Sequence, residues 1–468
     1  MRDKKQALDG HFVSPTQYTK GTRFPNAGEI KIYDTTLRDG EQMPGIAMSP
    51  GQKYKIAREL SEIGCHIIDM GFPSSSRSEQ TALQMVLRGK ENGEIRDDME
   101  ILVMCRSTQD DIDTTVRSIR SAGFSPSDVS VLIFTAASSL HCKYKLGPTL
   151  LKREGFREDA DLPIEFFHEA NKKMVSDAIN YARCRGLSNI EFGAEDASRT
   201  PLPQLIDLVR AAANAGATRY IFADTSGSLT PESTALYCRT LSEEFPDLAL
   251  VSHFHNDFDL ATINVVTAIS NGFPIFSSTV NGIGERAGNA PLHSVVAALK
   301  YLYGVEIPNF RYDRLWRLKS LVEQLTGVPV QAHEPVVGFN VFSHESGIHA
   351  HGVSIARCMY EPIPLDEVGG ASRNVFGKHS GAHGLMHILR KHEASIGAPI
   401  DNEFTRKLLK EVKYLREAQI DSGDTARHVA KYYENLNSLS ISEDELVALA
   451  RDFALSATFE GELALVEA

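Results

Sequence analysis

The chain has 468 residues, 42% hydrophobic and 24% charged, a balance that excludes a largely disordered protein. Its length exceeds one ordinary domain but suits a barrel of ~250 residues with attachments. Its 49 basic and 61 acidic residues give a net charge of −12, which argues against nonspecific nucleic-acid binding because that needs a basic face.

No apolar run approaches the ~18–20 residues of a membrane helix. The opening residues 1–20 lack the apolar core of a secretory signal. Cys65, Cys105, Cys142, Cys184, Cys238 and Cys358 are scattered, with no C-x-x-C pair. Reduced thiols in a cytoplasmic enzyme are the expectation, with no membrane and no nucleic-acid partner.

Residues 1–28 are polar and aperiodic and are read as an N-terminal arm. Short apolar runs then recur at Ile30–Asp34, His66–Phe72, Glu100–Cys105, Val129–Thr135, Asn189–Phe192, Tyr220–Ala223, Ala249–His255 and Ile275–Val280. Segments with helical spacing separate them: Gly51–Ile63, Asp110–Ser121, Phe166–Cys184, Leu205–Ala213, Pro231–Phe245, Leu260–Ser270 and Leu292–Tyr303. Gly64, Gly123, Gly186 and Gly216 sit where helices must end before strands. Strand–helix alternation across residues 29–305 predicts an α/β protein with a closed (β/α)8 TIM barrel, in preference to a doubly wound open sheet. Residues 306–400 form a linker and C-terminal subdomain, and residues 401–468 a helical one. Its apolar stripe is Phe404, Leu408, Leu409, Val412 and Leu415.

The unusual residues fall at strand ends, where barrel active sites form. The first run leads into residues 34–42, DTTLRDGEQ, with several charges around one glycine; a salt-bridged turn is the bland alternative. The seventh ends in Ser252-His253-Phe254-His255. Side chains two apart on a strand share a face, so both imidazoles point into the barrel mouth and suit a divalent metal. Asp39 with His253 and His255 makes a mixed O/N set suited to Mg, Mn or Zn. Such a metal grips a 2-oxo acid, and Arg38 could stabilise the alkoxide formed on attack. The fifth and sixth runs lead to Glu195 and to Asp224-Thr225, candidate acid–base or supporting groups. Helix capping is the alternative use for Thr230 and Ser198. The eighth leads into a glycine-rich loop, residues 281–289, which allows close approach of a ligand to the backbone.

The strings DTTLRDGEQ, HFHND and NGIGERAGN resemble the acyl-CoA-dependent Claisen condensing enzymes of amino-acid biosynthesis: 2-isopropylmalate, homocitrate and citramalate synthases. The resemblance runs from Ile30 to Gly381. It implies condensation of acetyl-CoA with a 2-oxo acid to give a 2-substituted malate and CoA. It implies metal ligation by Asp39, His253 and His255, with Asn289 a further or nearby ligand. It also implies that Arg38 polarises the substrate oxygen, that Thr225 holds the oxo-acid carboxylate, and that Gln42 joins the substrate-binding residues. The segment Ser346-Gly347-Ile348-His349 is similar to the family's C-terminal catalytic-histidine motif, which implies a domain-exchanged homodimer in which His349 serves a partner's barrel. Tyr360 follows in the same segment. The base is left open between Glu195 and His349 with Glu345 nearby. The leucine-sensing domain of long isopropylmalate synthases is not expected.

Two departures touch the side-chain pocket. Leu132 stands where isopropylmalate synthases carry a histidine, while His141 is kept, and Gly193 replaces a serine. The pocket is expected to be roomier and less polar, and a bulkier apolar oxo acid than 2-oxoisovalerate fits it. Homocitrate, Re-citrate, citramalate, benzylmalate or phosphonomethylmalate synthesis are the alternatives. A lyase acting on a 3-hydroxy-3-methylglutaryl-CoA-like substrate is the rival class, opposed by the GERAGN loop and by the lack of cysteine between Cys238 and Cys358.

Overall fold

The computed structural model describes residues 21–421 and 424–450. Most of the expected arm and the end of the helical tail lie outside the described residues. Eight parallel strands close into a barrel in chain order: β1 Lys31–Asp34, β2 Ile67–Asp69, β3 Glu100–Arg106, β4 Ser130–Ala136, β5 Ile190–Glu195, β6 Arg219–Asp224, β7 Ala249–Phe254 and β8 Ile275–Ser278. Closure between β1 and β8 pairs Lys31 with Ile275 and Asp34 with Ser278. The open sheet is thereby excluded.

The outer helices are α1 Pro50–Ile63, α2 Arg77–Glu91, α3 Gln109–Ser121, α4 Gly147–Arg153, α5 Ile164–Cys184, α6 Leu202–Ala215, α7 Pro231–Glu244, α8 Ala261–Ile269 and α9 Leu292–Ala297. The expected helix to Tyr303 leaves α-geometry after α9 and becomes a π-helical turn, Ala298–Leu302. The sequence periodicities above miss α2, whose buried stripe (Ala82, Leu83, Val86, Leu87) is narrow among polar neighbours. Thr230 caps α7 by accepting from the Ser233 amide. Ser198 caps nothing: it lies within a 3-10 turn and its hydroxyl has no partner. Gly64 closes α1 at φ 107° and Gly216 closes α6 at φ 111°, the left-handed conformation that a Cβ opposes.

Alternation along the strands sorts side chains into an outer layer against the helices and an inner stack. Tyr33, Ile67, Leu102, Leu132, Ile221, Val251 and Ile275 pack together inside the barrel. At the opposite end from the DTTLRDGEQ loop, Arg219 pairs with Glu191 and, at 2.6 Å, with Glu100, while the Tyr33 hydroxyl donates to Glu191 at 3.3 Å. Burial raises the Glu191 pKa, and Arg219 opposes that rise.

Behind the barrel come α10 Leu315–Thr326, a two-stranded sheet of β9 Ser343–His344 and β10 Arg373–Asn374, α11 Gly347–Ile355, α12 Ala382–Arg390, α13 Asn402–Asp421 and α14 Asp424–Asn437. On α13, Phe404, Leu408, Leu409 and Val412 are half-buried and Leu415 is exposed. Among the described residues no helix is long and apolar enough to cross a membrane.

Replacing Arg219 by Met strands the Glu191 carboxylate in the barrel interior. The expected loss at neutral pH is about 3–5 kcal/mol, read from urea denaturation, with most of it restored in Arg219→Met/Glu191→Gln.

Candidate active site

The loop after β1 is wound tightly around one carbonyl. Thr35 O accepts from the amides of Arg38, Asp39 and Gly40. That turn throws the Arg38 and Asp39 side chains to the barrel mouth. Arg38 is only 11% exposed; its Nε donates to Asp69 at 2.7 Å and its Nη1 to Asp39 at 2.6 Å. Burial works against the guanidinium charge, but the two carboxylates hold its pKa above the usual value. Asp69, at the end of β2, was not singled out from sequence; burial raises its pKa, against the pull of Arg38.

β7 delivers His253 and His255 to the same face, as the alternation requires. Their Nε2 atoms are 3.4 Å apart, and His253 Nε2 is 3.5 Å from Asp39 Oδ2. One ligand atom each from Asp39, His253 and His255 lie within 4.8 Å of one another. Burial pushes the His253 pKa down to about 3 and lowers that of His255, leaving neutral imidazoles with lone pairs to offer. His253 Nδ1 is hydrogen-bonded to Ser277 Oγ at 2.7 Å, which leaves Nε2 facing Asp39. Burial alone would raise the Asp39 pKa, but Arg38 and the imidazoles hold it well below the carboxylate range.

Asn289 enters from the loop after β8, where it forms an isolated bridge with His255. Its amide donates to Asp39 at 3.0 Å and to Ile283 O at 3.2 Å. Its Oδ1 is buried without a partner, and an unpaired buried acceptor is what a bound cation would satisfy. The donor set therefore fits a divalent ion. The glycines of this loop make room for the chain itself. A Cβ on Gly284 would lie 2.1 Å from Asn289 Nδ2, and one on Gly288 1.9 Å from Gly282 O.

These groups line a cavity of about 420 Å³ at the barrel mouth. Of the residues singled out from sequence, it gathers Arg38, Asp39, Gln42, Leu132, Gly193, Glu195, Thr225, His253 and His255. Asn289 stands behind Asp39. His141 is not in the lining; its ring lies 3.7 Å from Glu195 and 3.8 Å from Asp196. His349 is not brought to this chain's cavity: it stacks on Tyr360 with ring centroids 4.0 Å apart. The cavity's lining comes wholly from the barrel.

The lining also holds residues the sequence reading passed over: Met104, Phe134, Lys145, Ile221, Glu285 and Arg286. Lys145 pairs with Glu195 at 2.6 Å. Its signal was weak because it sits on the loop beyond β4, far in sequence from its partner. Period-2 spacing along the strands could have found Met104, Phe134 and Ile221. Arg286 is clamped by Asp257 at 2.8 Å and donates to Thr225 O at 2.6 Å. The Thr225 hydroxyl accepts from the Asp196 amide at 2.8 Å, so its proton is free to donate into the cavity. The expectation of a roomier pocket at Gly193 is corrected. A Cβ there would lie 2.9 Å from Leu132 Cδ1 and 3.1 Å from Phe134 Cβ, so apolar neighbours already fill the space. The expected loss of polarity agrees with these neighbours.

A family model described as HMGL-like matches residues 29–322, and one described as homocitrate synthase post-HMGL domain-like matches residues 336–419. The chain is 38% identical over 406 residues to a 2-isopropylmalate synthase of Sulfurisphaera tokodaii, covering 86% of this chain and 96% of that one. It is 37% identical over 390 residues to a homocitrate synthase of Methanocaldococcus jannaschii, covering 83% of this chain and 87% of that one. A solved HMG-CoA lyase from Bacillus subtilis superposes with a TM-score of 0.51 at 18% identity, covering 66% of this chain and 97% of that one. At that identity the likeness is one of fold.

Calorimetric titration with Mn(II) is expected to show one site per chain that Asp39→Asn removes. Ser277→Ala frees the His253 ring and should weaken binding about tenfold.

Proposed function

The chain belongs to the HMGL-like family and carries a homocitrate synthase-type post-barrel domain, and from that premise we propose a metal-dependent Claisen condensation of acetyl-CoA with a 2-oxo acid. The product is a 2-hydroxy-2-substituted succinate, with CoA released; the enzyme is an acyltransferase. The observation that carries this reading is the convergence of Asp39, His253 and His255 beside Arg38 at the strand ends.

A divalent cation held by Asp39, His253 and His255, with Asn289 close by, would polarise the keto group. The Thr225 hydroxyl, just beyond the end of β6 and beside the strand of His253, donates to the oxo-acid carboxylate. A base takes a methyl proton from acetyl-CoA, and the enolate carbon bonds to the keto carbon. The keto oxygen becomes an alkoxide, and the Arg38 guanidinium, fixed in place by Asp39 and Asp69, meets its charge. Water then cleaves the thioester, which makes the sequence irreversible. Glu195 lines the cavity and is the candidate base that this chain carries there by the family resemblance. His349 acts only if a second chain supplies it, as in a domain-exchanged homodimer. Exposure of Ile348 and Ile355 on α11, 74% and 60%, is in keeping with that assembly.

Identity does not choose the oxo acid, because relatives named for different ones stand at 38% and 37%. The pocket floor bears on the choice. Leu132, Phe134 and Ile221 press on Gly193 with apolar surface, Met104 lines the same cavity, and none of the four offers a distal carboxylate a partner. This favours a 2-oxo acid with an apolar side chain.

Protein, acetyl-CoA and Mg or Mn are to be incubated with 2-oxoisovalerate, 2-oxoglutarate, pyruvate, oxaloacetate, phenylpyruvate or phosphonopyruvate and read by mass spectrometry. An EDTA-sensitive adduct stronger with the acids of apolar side chain than with those carrying a second anionic group is expected. Preference for a dianionic acid would refute the substrate assignment, and no adduct at all would refute the reaction. Gly193→Ser drives a side chain against Leu132 and should lower kcat/KM for the preferred acid about tenfold.

A further inference from the structure

Lys53 of α1 is fully buried. Its ammonium donates to Leu37 O at 2.9 Å and to Glu79 Oε1, and forms an ion pair with Glu41 Oε2 at 2.5 Å. The two carboxylates are in turn tied to backbone. Glu41 Oε1 accepts from the Met48 amide at 2.7 Å, and Glu79 Oε2 accepts from the Phe72 amide at 3.1 Å. Gly71 makes the second contact possible, since a Cβ there would lie 1.8 Å from Glu79 Oε2.

The placement of these anchors is informative. Leu37 and Glu41 bracket Arg38, Asp39 and Gly40, while Phe72 follows Asp69 on the neighbouring strand end. Lys53 therefore joins, from behind, the same two loops that the Arg38–Asp69 pair joins from the cavity side. Stability alone does not account for the arrangement. Apolar residues of similar volume often replace a buried charge cluster without loss, whereas removing one member of it is costly.

We propose that Lys53 is a positioning residue that locks residues 37–41 and 69–72 together, so that Arg38 and Asp39 hold one geometry at the cavity. The inference rests on the function proposed above, in which those two residues serve the reaction.

The test is a charge-neutral variant of the full-length protein, Lys53→Met/Glu41→Gln/Glu79→Gln, which removes the clamp without stranding a buried charge. The expected result is a melting temperature within a few degrees of the parent, Mn(II) affinity reduced about tenfold, kcat reduced about 100-fold and KM for acetyl-CoA unchanged. Parent-like Mn(II) affinity and kcat would overturn the proposal and leave Lys53 a charge-balancing residue. Should the triple variant fail to fold, Glu79→Leu decides, because it removes the acceptor that holds the Phe72 amide while keeping the Lys53–Glu41 pair. Lowered kcat with unchanged KM supports positioning, and unchanged kcat refutes it. Asp39→Asn is the control. If it binds Mn(II) and turns over like the parent, the site reading fails, whatever Lys53 does.

Discussion

A guanidinium that has almost left water must be met by charge, and the mouth of this barrel is arranged around that requirement. Arg38 is satisfied by Asp39 beside it and by Asp69 on the next strand. The pairing fixes the loop after β1 against the end of β2. It also keeps Asp39 ionised in a place where burial favours the neutral acid. An ionised, immobile Asp39 then faces two neutral imidazoles across the barrel. The same electrostatics thus fix the Arg38 guanidinium and set beside it a donor set that fits a cation.

Around this core the chain uses missing side chains as positive features. The absent Cβ atoms of Gly284 and Gly288 let the loop after β8 fold tightly enough for Asn289 to reach Asp39. At Gly193 the vacated volume is taken by Leu132 and Phe134, so the same kind of substitution there changes polarity more than size. The two cases separate glycines that let a loop close on Asp39 from one whose place in the cavity floor is filled by apolar neighbours.

Among the described residues, the post-barrel region contributes none of the lining of this cavity. It presents His349 against Tyr360, on a helix whose Ile348 and Ile355 are open to water. In the proposed reaction the barrel would hold and polarise the oxo acid and offer Glu195 as one candidate base, while His349 would take part only from a second chain.

Much of this was legible in the sequence because it is local. Strand–helix alternation announced the barrel, and period-2 spacing placed His253 and His255 on one face. The clustering of Arg38 and Asp39 at a strand end, and the family strings themselves, are likewise short-range signals. What remained hidden depends on closure. Pairing of β1 with β8 sets the donation from the Asn289 amide to Asp39, a contact that the family strings implied only as proximity to the same cation. Packing of α1 and α2 behind the first two strands sets Lys53 between Glu41 and Glu79. The loop beyond β4 carries Lys145 to Glu195, and the space at Gly193 can be judged only once Leu132 is seen to occupy it. The sequence by itself determined the fold and the chemical type of the site, since both are written in short-range periodicity and motif. The tertiary structure decided which charges are paired and which volumes are full, because those depend on contacts between residues far apart in the chain.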